Sequence, residues 1–148
     1  MKKIFLILFV LIIFTVSCKV NKEPISSEKF QSVMEKNGFS VENIDIPESQ
    51  KEVIKEVLLA KNDDYQIVYY ITHDSDKAIR FFNSGKEEIM LSKGNATIES
   101  SKSIGNQSRY SLKANSKFKL ISRIENTLIY VDAPDTYEKN IKEILKEL

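Results

Sequence analysis

Arg109-Tyr110-Ser111-Leu112-Lys113-Ala114-Asn115-Ser116-Lys117-Phe118-Lys119-Leu120-Ile121-Ser122-Arg123 reads as two extended runs hinged on a polar turn. Asn and Ser favour tight turns, and the flanks carry the aromatic and aliphatic residues of strands. The same punctuation recurs at Gly105-Asn106 and Glu125-Asn126, so Ala96 to Val131 predicts an antiparallel meander. A three-residue loop, Asn115-Ser116-Lys117, would oppose Ala114 to Phe118 and Leu112 to Leu120 and keep apolar side chains together. A two-residue loop would set Leu112 against Lys119. The three-residue register is the expectation.

The segments around the meander supply its cover. C-terminally, Asp135 after Pro134 is expected to cap a helix with Glu138 at its third position, and Tyr137, Ile141, Ile144, Leu145 and Leu148 fall on one apolar face. N-terminally, Asp74 and Asp76 open a helix whose stripe is Ala78, Phe81, Phe82 and Ile89, with Gly85 a weak point near its middle. Before it, Tyr65 to Thr72 is rich in β-branched and aromatic residues and follows the turn formers Asn62-Asp63-Asp64. Residues 49–61 fit either a capping-box helix from Ser49 and Glu52 or a strand through Val53, Val57 and Leu59. The turn favours the strand and a hairpin. Ser26 and Ser27 start a first helix with Phe30, Val33 and Met34 that Gly38 stops, and Phe39 to Ile46 is extended up to Pro47. The expected fold class is α+β, an antiparallel sheet of hairpin plus meander with about three helices packed on it.

The first eighteen residues follow a different logic. Lys2 and Lys3 precede an uninterrupted apolar run, Ile4 to Phe14, and then Thr15-Val16-Ser17-Cys18. A positive start, an apolar middle and a small-residue end make a secretory signal peptide. Spanning the bilayer takes ~20 apolar residues, and this run is shorter. Thr15-Val16-Ser17-Cys18 resembles the lipobox of bacterial lipoproteins, although Thr15 stands where leucine is usual. That resemblance implies cleavage before Cys18 by signal peptidase II and diacylation of its sulfur. Two acyl chains hold a protein stably on a membrane where one does not. The expected organisation is therefore a signal peptide over 1–17, the lipidated Cys18 and a short tether over 18–25, and a single extracytoplasmic domain over 26–148.

A looser pattern through the mature chain resembles small lipoproteins of low-GC Gram-positive bacteria. It rests on Phe30 and Met34 before Gly38-Phe39, Ala78 and Phe81, Gly105-Asn106 before Tyr110, and Ser122 to Thr127 leading to Tyr130. It implies an extracytoplasmic α+β module on the cell membrane and no particular activity.

Composition narrows the classes. Lys and Arg number 22 against 21 Asp and Glu, and losing Lys2 and Lys3 turns one excess positive charge into one excess negative charge. That balance implies no nucleic-acid partner. The lone cysteine belongs to the anchor, which leaves no disulfide framework and no thiol nucleophile.

Candidate sites are few. His73, the only histidine, is flanked by Asp74 and Asp76, and Asp63-Asp64 stand across the expected hairpin. This could make a metal or acid/base cluster, in a small surface hydrolase or a metal- or ligand-binding lipoprotein. Helix capping explains Asp74 and Asp76 without function. Ser84-Gly85-Lys86 and Ser92-Lys93-Gly94-Asn95 put glycine beside lysine but lack the P-loop spacing. Arg109, Lys113, Lys117, Lys119 and Arg123 would share one sheet face in the chosen register, a basic stripe for anionic lipid or a teichoic-acid-like polymer. The plainer alternative is a solvated or helix-covered face with balanced charge. The expectation is a non-catalytic interaction or regulatory module, with no cofactor and no metal, joined to the membrane through Cys18 and facing an extracytoplasmic protein or anionic polymer.

Overall fold

The computed structural model describes residues 21–94 and 97–148; Cys18 and the leader lie outside them. Its elements are α1 (Ser27–Lys36), β1 (Ser40–Asn43), β2 (Ile54–Lys61), β3 (Gln66–Thr72), α2 (Ser75–Met90), β4 (Ile98–Ile104), β5 (Gln107–Ala114), β6 (Lys117–Ile124), β7 (Thr127–Pro134) and α3 (Glu138–Lys146). The strands form one antiparallel sheet in the order β1-β2-β3-β7-β6-β5-β4. The class is α+β. The hairpin β2–β3 joins the meander β4–β7 through the β3–β7 pair.

Local chemistry sets the element ends. Ser26 Oγ caps α1 by accepting from Lys29 N at 3.2 Å. Gly38, at φ 85°, closes the helix with Phe39 N donating to Met34 O and Gly38 N to Glu35 O, a Schellman pair. Residues 49–61 resolve into a short 3₁₀ turn, Glu48–Gln50, and strand β2. Asn62 Oδ1 accepts from both Asp64 N and Tyr65 N, folding the chain back into β3.

The sheet is covered on both sides. Because residues along a strand alternate faces, Leu58, Ala60, Ile67, Tyr69, Phe118, Leu120, Ile129 and Val131 meet α1 and α3 in one core. Tyr110, Leu112, Ala114, Ile121 and Leu128 meet α2 in the other. Phe30 stacks on Tyr69 with ring centroids 4.7 Å apart.

Three expectations are corrected. Asn115 and Ser116 both have positive φ, 52° and 60°, as in a two-residue type I′ turn. Ala114 therefore opposes Lys117, Leu112 opposes Lys119 and Lys113 opposes Phe118. Apolar matching fails to predict this because beside the turn the two strands bury opposite faces: Tyr110, Leu112 and Ala114 of β5 turn to α2, while Phe118 and Leu120 of β6 turn to the α1/α3 core. No single face has to collect all the apolar residues.

At the third helix, Asp135 leads a 3₁₀ turn, Asp135–Tyr137, and caps nothing with its side chain. Its carboxylate and that of Glu138 turn to Lys113 instead, at 3.5 and 3.3 Å.

The segment before α1 is part of the domain. Ile25 is buried in the first core and its carbonyl accepts from the Tyr69 hydroxyl. Lys22 is held to the β4–β5 turn: its N–H donates to Asn106 Oδ1 at 3.0 Å, and Asn106 Nδ2 donates to Lys22 O at 2.8 Å.

Candidate functional site

The expected basic stripe does not form. In the observed register Lys117, Lys119 and Arg123 lie on the α2 side of the sheet, while Arg109 and Lys113 lie on the α1/α3 side. Most of these charges are also answered. Lys117 and Lys119 both reach Asp132, at 3.7 and 3.2 Å, and Lys113 has Asp135 and Glu138. Arg123 is buried and donates to the Glu125 carbonyl at 3.0 Å.

Arg109 is the exception, and the fold gives it new neighbours. Lys102 stands opposite it on edge strand β4, and the Asn106 clasp brings Lys22 to the same end of the sheet. Together with Gln107, Ser108 and Ser122 they line a groove of about 330 Å³ that also takes in Ile104 and Ile124. Arg109 Nε points at Ser122 Oγ, 3.4 Å away. No carboxylate lines the groove, and among the described residues none of the three cations is in an ion pair.

The crowding shows in Lys22. Partial desolvation first, then the charges of Lys29 and Arg109, hold its amine below the ordinary value of 10.5. Lys113 goes the other way, raised by its hydrogen bond to Glu138 and the adjacent carboxylates. The groove is thus a surface where cations repel one another and every neighbouring polar side chain can donate.

The histidine region does not gather a cluster. Asp74 is the N-cap of α2, accepting from Lys77 N at 2.7 Å, and that bond foremost lowers its carboxyl pKa. His73 Nε2 lies 2.9 Å from Lys51 O, at the edge of a shallow groove that also includes Asp45 and Glu56. Asp63 and Asp64 stand at the opposite end of β3, about 20 Å away at ~3.3 Å per strand residue. Among the described residues no group of three or more potential ligands is arranged for a metal. Gly85 lies against Ile121 within α2, and Gly94 exchanges hydrogen bonds with Thr97 Oγ1 after that helix, so both have structural roles.

Lys22 and Lys102 escape sequence reasoning, because each is a single lysine in a polar stretch. The only available signal is Asn106, a turn residue whose side chain is free to bind a distant backbone.

No protein-family profile matches the chain, and no curated protein matches it. A solved structure described as a GTP binding regulator from Thermotoga maritima is similar at 19% identity and a TM-score of 0.47, over 84% of this chain and 87% of that one. A likeness this remote bears on neither the site nor the activity of this chain. Among the described residues no helix is long and apolar enough to cross a membrane.

Proposed function

We propose that the chain is a lipoprotein of the extracytoplasmic membrane face, cut before Cys18 and anchored there by acyl chains, whose domain is a non-catalytic interaction or regulatory module. The observation that carries this reading is the apolar run Ile4 to Phe14 ending at the only cysteine, in Thr15-Val16-Ser17-Cys18. An anchor at Cys18 would leave the domain little reach. Lys22 is already fastened to the β4–β5 turn, and four residues span at most about 14 Å. The Arg109 groove is then held next to the bilayer surface, and it replaces the five-residue stripe as the anionic contact.

Metabolic labelling with a lipid precursor tests the anchor. The wild-type chain takes up label and fractionates with membranes, and Cys18→Ala does neither. Equal labelling of both, or a mature chain beginning elsewhere, removes the reading.

A further inference from the structure

We propose that the groove between Lys22, Lys102 and Arg109 is a phosphodiester site that seats the headgroup of an anionic phospholipid. The site assignment rests on the side chains alone; the choice of a lipid rests also on the anchored reading above. A tetrahedral phosphoryl group offers oxygens in several directions. The groove presents a guanidinium fork, two ammonium groups and the hydroxyl of Ser122, with no acid to compete. A phosphodiester's acceptor oxygens are arranged tetrahedrally, out of one plane, which suits donors converging from β4, β5 and the segment before α1 better than a planar carboxylate does.

The volume, about 330 Å³, exceeds what a bare phosphate fills and leaves room for a glycerol arm. The lining is apolar at Ile104 and Ile124: Ile124 is buried, and Ile104 is 45% exposed beside the cations. This pairing of cations with exposed apolar surface suits the boundary between headgroups and acyl chains. The site needs no new loop to form it. Asn106 fixes Lys22, and the strand register fixes Lys102 opposite Arg109.

The described helices, strands and both cores are built from residues 21–148, and a single cooperative thermal transition of that fragment is required before any vesicle is added. The 21–148 fragment is sedimented with vesicles of phosphatidylglycerol mixed with phosphatidylcholine, and with vesicles of phosphatidylcholine alone, at low ionic strength. Binding is expected only to the mixed vesicles, with glycerol phosphate as a competitor and acetate at equal ionic strength without effect. The double variant Lys102→Gln/Arg109→Gln should bind roughly tenfold more weakly or worse, with an unchanged thermal midpoint. Neutralising the paired lysines, Lys113→Gln/Lys117→Gln/Lys119→Gln, should change binding by no more than about twofold.

Equal binding to both vesicle types, or equal loss in the two variants, overturns the site. Glycerol phosphate binding without any vesicle binding overturns the lipid as its source. Because the fragment lacks Cys18, these outcomes are independent of the labelling experiment.

Discussion

Asn106 binds Lys22 through both polar atoms of its side-chain amide, joining residues 84 positions apart across the corner where β4 turns into β5. One side chain thereby satisfies a backbone donor and a backbone acceptor of a segment that belongs to no helix or strand. Gly105, at φ 57°, makes the turn that presents it. Downstream, Ile25 enters the core and its carbonyl takes the Tyr69 hydroxyl, so the clasp and the core hold the same short segment at two points.

Asn106→Ala should release the first of these points only. Two partly exposed hydrogen bonds contribute on the order of 1–2 kcal/mol together. The fold should survive with a slightly lower midpoint, while hydrogen exchange at the Lys22 amide accelerates strongly and exchange within β5 and β6 stays slow. Unchanged protection at Lys22 would mean that the clasp does not hold in solution.

The β5–β6 turn makes the register testable. Ser116 occupies the left-handed region at φ 60°, which costs an L-residue ~1–2 kcal/mol, and glycine removes that cost while losing ~0.4–1 kcal/mol through the unfolded state. Ser116→Gly should therefore stabilise by about 0.5–1 kcal/mol in urea unfolding, and Lys117→Gly should destabilise. The reverse order would restore the three-residue loop.

Much of the fold is legible in the sequence because its signals are local. Ser26, Gly38 and Asp74 mark helix ends through bonds to backbone atoms a few residues away, and Gly105-Asn106 and Asn115-Ser116 mark turns by composition alone. The register at Asn115 is not legible that way. Leu112 and Lys119 face each other, yet α2 buries the leucine while Asp132 on β7 takes the lysine. Charge compensation is equally non-local. Lys113 reads as a free cation until Asp135 and Glu138 are brought to it by the chain reversal after β7. Cys18, singled out by the Thr15-Val16-Ser17-Cys18 pattern, lies outside the described residues.

Gly85 shows how a weak point in a helix can be a packing device. A Cβ there would lie 2.5 Å from Ile121 Cδ1, and Ile121 is fully buried. Gly85→Ala should gain up to ~1 kcal/mol of helix propensity but lose ~1–3 kcal/mol to overpacking, leaving the protein about 1 kcal/mol less stable. Ile121→Val deletes Cδ1 and leaves only a 3.9 Å contact, so in that background the same alanine should stabilise. A double-mutant cycle in urea measures the sign change. An alanine that stabilises both backgrounds equally would show that Ile121 moves aside without cost.

The redistribution of charge between the paired lysines and the groove is tested most directly by lysine titration. Reductive ¹³C-methylation of the folded domain, with signals assigned through Lys→Arg variants, follows each amine by NMR. Lys22, depressed by desolvation and by Lys29 and Arg109, opposes folding while it is charged, and that opposition is relieved as pH rises through its folded value toward 10.5. Lys113, raised by Glu138 and Asp135, favours folding below 10.5 and loses that contribution only as pH rises through its higher folded value. The predicted result is that Lys22 loses its proton before Lys113, and that Arg109→Gln raises Lys22 by a small step, since desolvation and Lys29 still hold it down. Coincident titration of the two lysines, or Lys22 losing its proton after Lys113, would contradict the groove as the place where this fold gathers unanswered positive charge.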